Sequence, residues 1–173
     1  MKRIFLSLLL LGLLGCSKKS SPISNATLTP PQIIQVMTDI NVGTMDYIVS
    51  SATYSLPSRE FIENEYSSGL RKFFNDLNFT YSKGDQDCRS FALGATFYVD
   101  HLHHIEKDKI QNSALAFGEF YYQKEGADGG GHAINVVITK DSNKYLVLFY
   151  EPQTYSIVIL SKTEIESCEF YRF

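Results

Sequence analysis

The stretch from Asp85 to Ala92 constrains the fold of this chain more than any other segment. A cysteine that follows polar, turn-forming residues opens a long and mostly apolar run. The apolar positions recur at intervals of three, four or seven, the spacing of one stripe on an amphipathic helix. These positions are Cys88, Ala92, Ala95, Val99 and Leu102. With Asp85 or Asp87 available as N-cap, the sequence predicts a helix from Cys88 to about His104.

Cys88 falls in the first turn of this predicted helix, where two roles are open to it. Exposed backbone N–H groups and the helix dipole favour a thiolate at this position, and the thiolate is the nucleophilic form of cysteine. Cysteine is also a small apolar residue that is commonly buried, so Cys88 equally suits the core-facing stripe. The rest of the chain has to decide between a reactive thiol and a packing residue.

The N-terminus has the composition of a secretory leader. Two positive charges precede an apolar run, Ile4 to Leu14, that is too short to cross a bilayer as a helix. The run ends in Leu-Leu-Gly before Cys16, which resembles the bacterial lipobox. The resemblance implies a signal peptide over 1–15, a lipid anchor at Cys16 that holds the protein to a membrane, and a bacterial cell-envelope location, at the outer membrane in a Gram-negative host. Residues 16–28, rich in Ser and Lys, are expected to be a flexible tether.

The presence of a further cysteine, Cys168, suggests that Cys88 could instead form a disulfide. Three cysteines are present, and acylation of Cys16 leaves Cys88 and Cys168. Two remaining cysteines in an oxidising compartment favour a disulfide. A Cys88–Cys168 bond would leave no free nucleophile, so this alternative competes directly with a reactive Cys88.

Charge and composition exclude one class of partner. Removing Lys2 and Arg3 with the leader from the 16 basic residues leaves 14 against 19 acidic ones, a net charge of −5. No basic patch interleaved with aromatic residues occurs, so we expect no nucleic-acid binding. Phe (12) and Tyr (11) are numerous and Trp is absent, which favours many strands around an aromatic core. We expect no cofactor.

The chain changes near its middle from helical to strand-forming sequence. In the first half, Thr29 and Ser58 occupy N-cap positions ahead of segments with apolar periodicity. In the second half, segments rich in Val, Ile, Phe and Tyr alternate with turns. These segments are Ala116–Gln123, His132–Thr139, Tyr145–Glu151, Tyr155–Leu160 and Glu169–Phe173. The sequence predicts one α+β domain over 29–173, in which N-terminal helices and the Cys88 helix pack on an antiparallel β-sheet.

His132 begins one of these strands and Glu151 ends the next. Strand alternation places His132 on the face of Ile134, and if that face contacts the Cys88 helix, the imidazole emerges beside the thiol. A short hairpin would bring the Glu151 carboxylate next to His132, where it orients the base that a nucleophilic thiol requires. Asn135 is a rival for the orienting role, but it points to the opposite face, so we prefer Glu151.

Three histidines cluster at the end of the predicted Cys88 helix. His101 and His104 lie on one helical face, and His103 lies between them. No acidic or cysteine ligand stands at a metal-site spacing beside them, whereas histidine suits the negative end of a helix dipole. We therefore predict a helix cap and no metal.

The sequence reads Asp-Cys-Arg-Ser-Phe-Ala at 87–92, Gly-His-Ala-Ile-Asn at 131–135 and Tyr-Glu-Pro-Gln-Thr at 150–154. Together these motifs resemble the papain-like cysteine-peptidase domain appended to a fungal agglutinin, and its bacterial relatives. The family pattern is a cysteine opening a helix with Phe-Ala behind it, a Gly-His-Ala-x-Asn strand, and Glu-Pro-Gln.

The resemblance implies a papain-like fold with Cys88 as nucleophile, His132 as base and Glu151 as the orienting acid. It also implies a glutamine that completes the oxyanion hole, for which Gln86 is the nearby candidate. The acidic residue that the family has after the cysteine is replaced here by Arg89 and Ser90, so calcium dependence is not carried over.

These observations predict an envelope-anchored thiol hydrolase that cleaves peptide or isopeptide bonds, with acyl transfer as a variant outcome. Asp-Cys-x-x-Phe and Gly-His are also shared with NlpC/P60 peptidoglycan endopeptidases, although the 19 residues from His132 to Glu151 fit that family less well. The expected partner is accordingly a peptide or peptidoglycan substrate. A third alternative is a non-catalytic lipoprotein that keeps the fold as a binding or exclusion module.

Overall fold

The structure is a computed structural model that describes residues 23–43, 46–82, 87–105, 113–126 and 130–173. The described helices are α1 (Pro30–Asp39), α2 (Arg59–Phe61), a π-helical segment (Ile62–Tyr66), α3 (Ser67–Asp76), α4 (Cys88–Ile105) and α5 (Lys162–Glu166). The described strands are β1 (Ile23–Leu28), β2 (Tyr47–Ile48), β3 (Tyr54–Pro57), β4 (Ala114–Leu115), β5 (Phe117–Lys124), β6 (Gly130–Asp141), β7 (Lys144–Glu151), β8 (Ser156–Val158) and β9 (Phe170–Arg172). The predicted α+β class is confirmed.

The strands form two sheets with different roles. A small sheet has the order β1-β3-β4, and a six-stranded sheet has the order β2-β9-β5-β6-β7-β8. Strands β5 to β8 form an antiparallel meander, and the last strand, β9, returns to the outer edge of β5. The meander places the start of β6 and the end of β7 at the same end of the sheet, because β6 and β7 are antiparallel.

The six-stranded sheet is covered on both faces. On β6, Ile134 and Val136 pack into a cluster with α1 and the small sheet, which includes Ile33 and Tyr54. Val137, on the opposite face, packs into a second cluster with the π-helical segment, α3 and α4. Alternate residues of one strand therefore enter separate cores, as the pleat of a buried strand requires.

Local signals explain the helix starts. Thr29 and Gln32 form a capping box at the start of α1, and Ser58 accepts the Phe61 N–H at 3.1 Å at the start of α2. Asp87 caps α4, because its Oδ1 accepts the Ser90 N–H at 3.2 Å. The three caps lie where the sequence predicted them.

The N-terminal boundary differs from the prediction. Residues 16–28 were expected to be a tether, but Ile23–Leu28 forms β1. This strand pairs with β3 in antiparallel orientation, and the register shifts between Ser24 and Thr27. Leu28 is fully buried, so this segment belongs to the core. The predicted signal peptide and Cys16 lie outside the described residues. Within the described ranges, no helix has the length and apolar content needed to cross a bilayer.

Candidate functional site

Cys88 lies in the first turn of α4, at an end of the helix that is firmly held. Asp87 caps this turn, and the Phe91 ring packs in the second core cluster against Phe74 and Phe79, with ring centroids 5.1 and 4.8 Å away. Cys88 itself is half-buried. The predicted helix start is confirmed, and the fold fixes the position of the Cys88 backbone.

His132 and Glu151 form a hydrogen-bonded pair at the end of the sheet. The Nε2 atom of His132 lies 2.7 Å from the Oε2 atom of Glu151, and the two side chains are 14% and 13% exposed. The other carboxylate oxygen, Oε1, accepts the Gln153 N–H at 3.1 Å. Both carboxylate oxygens of Glu151 are therefore hydrogen-bonded. Because Glu151 contacts Nε2 of the imidazole, Nδ1 is the ring nitrogen that can bind another partner.

Cys88 and His132 line one open cavity of about 230 Å³. Its other lining side chains are Tyr81, Lys124 and Gln153, and the backbone of Gly130 and Gly131 completes it. The structure therefore brings the predicted thiol and imidazole to one cavity, with Glu151 bonded to the imidazole. A carboxylate-oriented imidazole can accept a proton from a neighbouring group, and it can also exchange hydrogen bonds with a bound ligand.

The sequence pattern missed Tyr81 and Lys124. Lys124 enters the cavity because it pairs with Gly130 across the β5–β6 hairpin. That register, which the sequence does not reveal, was the only signal that could have identified it. Tyr81 lies on the connection before α4, and no sequence pattern distinguishes it from the other tyrosines.

Asn135 has a different role from the one considered for it. Its side chain is fully buried, and Nδ2 donates to the carbonyl oxygens of Ala92 on α4 at 2.9 Å and of Gly118 on β5 at 3.0 Å. Asn135 therefore fastens α4 to the sheet. The helix packs on the face of Asn135, so the condition considered from the sequence, that α4 covers the face of His132 and Ile134, is not met. His132 reaches the cavity because it stands at the end of its strand.

The cysteines are not bonded to each other. Cys88 and Cys168 are both free, and Cys168 lies in the first core cluster, where its thiol donates to the Phe170 carbonyl at 3.5 Å. Burial raises the pKa of the Cys168 thiol to about 12. The disulfide alternative is wrong, because the two thiols occupy different environments.

The two thiols are expected to differ in reactivity. Iodoacetamide applied to the folded protein should alkylate Cys88, which lines an open cavity, and leave Cys168 unmodified, because Cys168 is buried and protonated. Peptide mass spectrometry before and after denaturation in urea measures this difference. Equal labelling of both thiols in the folded protein would contradict the burial of Cys168.

Three other predicted features lie wholly or partly outside the described residues. Gln86, the oxyanion candidate, and Cys16 are outside them, so the oxyanion role, the lipid anchor and the envelope location stay predictions. The side chains of His103 and His104 are likewise not described. Among the residues that are described, no group of three or more His, Cys, Asp or Glu side chains is placed to hold a metal ion.

Comparisons with known proteins link the fold to a fungal lectin. No family model matches the sequence, and no curated protein matches it. A structure described as a PSL1a–E64 complex matches with a TM-score of 0.63 and 18% identity, covering 85% of this chain and 50% of that chain. The Polyporus squamosus lectin bound to the human-type influenza-binding epitope Neu5Aca2-6Galb1-4GlcNAc matches with a TM-score of 0.64 and 17% identity, covering 85% and 49%. The chain spans about half the length of each, and the likeness shows a shared fold.

These matches correct the sequence-based identification. The resemblance to a fungal agglutinin agrees with the lectin matches in part, but the identification as a papain-like peptidase is contradicted, because the matching structures are those of a carbohydrate-binding lectin. The predicted thiol hydrolase is contradicted with it, and nothing in the matches supports an NlpC/P60 endopeptidase or a lipoprotein signal. The likeness itself shows that the α+β fold of this chain also occurs in a lectin.

Proposed function

We propose that this chain is a non-catalytic module that binds a carbohydrate ligand in the cavity beside the first turn of α4. The observation that carries the proposal is the composition of that cavity, in which one exposed aromatic ring accompanies several polar side chains. Small-ligand sites typically combine an apolar contact surface with a few placed hydrogen-bonding groups. The ligand class follows from the lectin whose structure contains a sialylated trisaccharide.

The lining groups suit a polyhydroxylated ligand. Tyr81 is 60% exposed, so its ring is available to contact the apolar face of a sugar. Lys124 supplies donors only, whereas the Gln153 amide both donates and accepts, as a sugar hydroxyl does. The cavity is open to solvent and, at about 230 Å³, is smaller than most small-molecule sites, which favours recognition of a single terminal unit of a glycan.

Glu151 would act through His132. By holding Nε2 at 2.7 Å, the carboxylate fixes the ring plane and tautomer, so that Nδ1 presents a defined hydrogen-bonding atom to the ligand. Cys88 would contribute a small wall residue to the same cavity. In this role the triad-like arrangement orders a binding site.

Replacing His132 tests the proposal. Glycan-array screening followed by calorimetric titration should find a carbohydrate ligand, and His132→Ala should weaken its binding by about tenfold, the effect of losing one buried hydrogen bond. Glu151→Gln should weaken it less, because it disturbs only the orientation of the ring. The matched control is His101→Ala, which removes an exposed histidine of α4 and should leave the affinity unchanged.

Two results would contradict the proposal. One is the absence of any carbohydrate ligand for folded protein, with folding checked by circular dichroism. The other is a ligand whose affinity is the same in wild type, His132→Ala and Gln153→Ala, since that ligand would bind elsewhere.

A further inference from the structure

A second cavity adjoins the same turn of α4. Cys88 lines the first cavity, and Arg89, the next residue, lines the second, which has a volume of about 510 Å³. That volume lies within the range of small-molecule sites. Six of its lining residues come from α4, β5 and β9: Arg89, Leu93, Glu119, Tyr121, Phe170 and Arg172.

Both carboxylate oxygens of the buried Glu119 in this cavity accept hydrogen bonds from neighbouring side chains. Glu119 is 1% exposed, and its Oε1 accepts from Nε of Arg172 at 3.0 Å and from Nη2 at 2.5 Å. Its Oε2 accepts the Tyr121 hydroxyl at 2.6 Å. Burial and the Glu119 carboxylate raise the pKa of Tyr121 to about 12, so the phenol stays protonated at neutral pH and keeps donating to Glu119. The negative charge of Glu119 is therefore neutralised within the wall and does not oppose an anionic ligand.

Arg89 differs from Arg172 in that no carboxylate among the described residues pairs with it. The residue is exposed, and within the described residues its guanidinium makes no ion pair. Its positive charge is close enough to Tyr121 to oppose the rise in the pKa of that phenol, which places it near the wall formed by β5. A guanidinium without an internal carboxylate partner is a donor for a carboxylate of a ligand, which it can bind through two parallel hydrogen bonds.

The remaining walls supply ring contacts and one further acid. The rings of Tyr121 and Phe170 lie side by side with centroids 5.7 Å apart, and the exposed Leu93 continues this apolar surface. Glu169 also lines the cavity, and its Oε1 accepts from Nε2 of Gln123. The cavity thus presents aromatic surface together with the Arg89 guanidinium, which pairs with no carboxylate in the described part of the chain. This combination suits a sugar ring that carries a carboxylate.

We propose that this second cavity binds the carboxylate-bearing unit of an acidic saccharide. Arg89 would hold the carboxylate, while Tyr121 and Phe170 contact the sugar ring. This inference rests on the proposed function, since it adds a second subsite and a ligand charge to the same carbohydrate-binding module. Consecutive residues of one helical turn, Cys88 and Arg89, would then each contribute to a subsite.

Monosaccharide probes test the charge requirement. N-acetylneuraminic acid, N-acetylmuramic acid and neutral N-acetylglucosamine are titrated into the full chain and followed by NMR. At least one acid should bind about tenfold more tightly than the neutral sugar, and Arg89→Gln should remove this preference, as expected for loss of a charge-assisted hydrogen bond. The acidic sugar that binds, N-acetylneuraminic acid or N-acetylmuramic acid, indicates which class of acidic saccharide supplies the ligand. Lys144→Gln is the matched control: it removes an exposed positive charge on β7 and should preserve the preference.

The outcomes separate this inference from the proposed function. Raising NaCl from about 50 mM to about 500 mM should lower the affinity for the acidic sugar and leave the affinity for the neutral sugar unchanged. Equal affinities for acidic and neutral sugars, or an acid preference unchanged in Arg89→Gln, would overturn the inference alone if a glycan still binds in a His132-dependent manner. Absence of all sugar binding would overturn both.

Discussion

Replacing Phe74 with alanine is expected to lower the free energy of unfolding by about 3–5 kcal/mol, the usual cost of removing a buried phenylalanine ring. Phe74 is 1% exposed and lies at the junction of α3 and α4. Its ring centroid is 4.9 Å from that of Phe79 and 5.1 Å from that of Phe91. The substitution leaves a cavity that these rings cannot refill, because they are held by their own helix or connection.

Urea denaturation followed by circular dichroism measures this loss. The control is Phe97→Ala, a deletion of the same ring at a position 61% exposed on α4, which should change stability by no more than about 0.5 kcal/mol. A Phe74→Ala cost below about 1 kcal/mol would contradict the packing described for the second core cluster. Because Phe91 is in the first turn of α4, Phe74→Ala should also weaken ligand binding at Cys88.

Replacing Asn135 with aspartate is expected to cost about 3–5 kcal/mol at neutral pH, the range for an unpaired buried charge. The amide of Asn135 donates to the carbonyls of Ala92 and Gly118, and a carboxylate would place negative charge against both. Protonation restores a donor, so the pKa of the new carboxyl is raised in the folded state. The unfolding free energy of the variant should therefore fall relative to that of wild type as pH rises from about 4 to 7. The difference between the two proteins should be smallest near pH 4.

The matched control is Asn143→Asp, the same chemical change at an exposed turn position between β6 and β7, with an expected effect within about 0.5 kcal/mol. Asn135→Ala separates charge from packing and should cost less than Asn135→Asp. Equal unfolding free energies for wild type and Asn135→Asp would mean that Asn135 does not fasten α4 to the sheet.

Sequence reasoning located α4 and the meander because their signals are local. The apolar stripe from Cys88 and the capping Asp87 define the helix, and alternation of apolar residues defines β5 to β7. The proximity of His132 and Glu151 followed from parity and one hairpin, and the structure places the two side chains at 2.7 Å. Each of these inferences depends on residues within one or two adjacent elements.

Long-range pairing could not be predicted in the same way. Ile23–Leu28 contains Ser, Asn and Thr and reads as a tether, yet it pairs with β3 some thirty residues later. Strand β9 lies between β2 and β5, so the order of the sheet depends on segments from opposite ends of the chain. The face of β6 that α4 covers could not be deduced from the sequence, because both faces of this strand carry apolar residues. The helix packs on the face of Asn135, so the condition under which His132 was expected to emerge beside Cys88 is not met.

The identity of the site residues did not determine the function. A cysteine, a histidine and a glutamate at one cavity fit a nucleophile with its base, and they equally fit a small wall residue beside an oriented hydrogen-bonding ring. The solved structures that share the fold are those of a lectin, and the proposed function assigns the second role to these residues.

The most direct test of whether this protein binds its ligand without catalysis is to measure whether a bound ligand is cleaved. The folded protein is incubated with each glycan that it binds, and with a peptide library, and mass spectrometry follows both ligand and protein over many hours. For a non-catalytic binding module we expect every ligand to be recovered intact, the protein mass to stay unchanged, and Cys88→Ala to bind as wild type does. A cleaved product, or an acyl adduct on Cys88, that forms with wild type but not with Cys88→Ala would show that the site is catalytic.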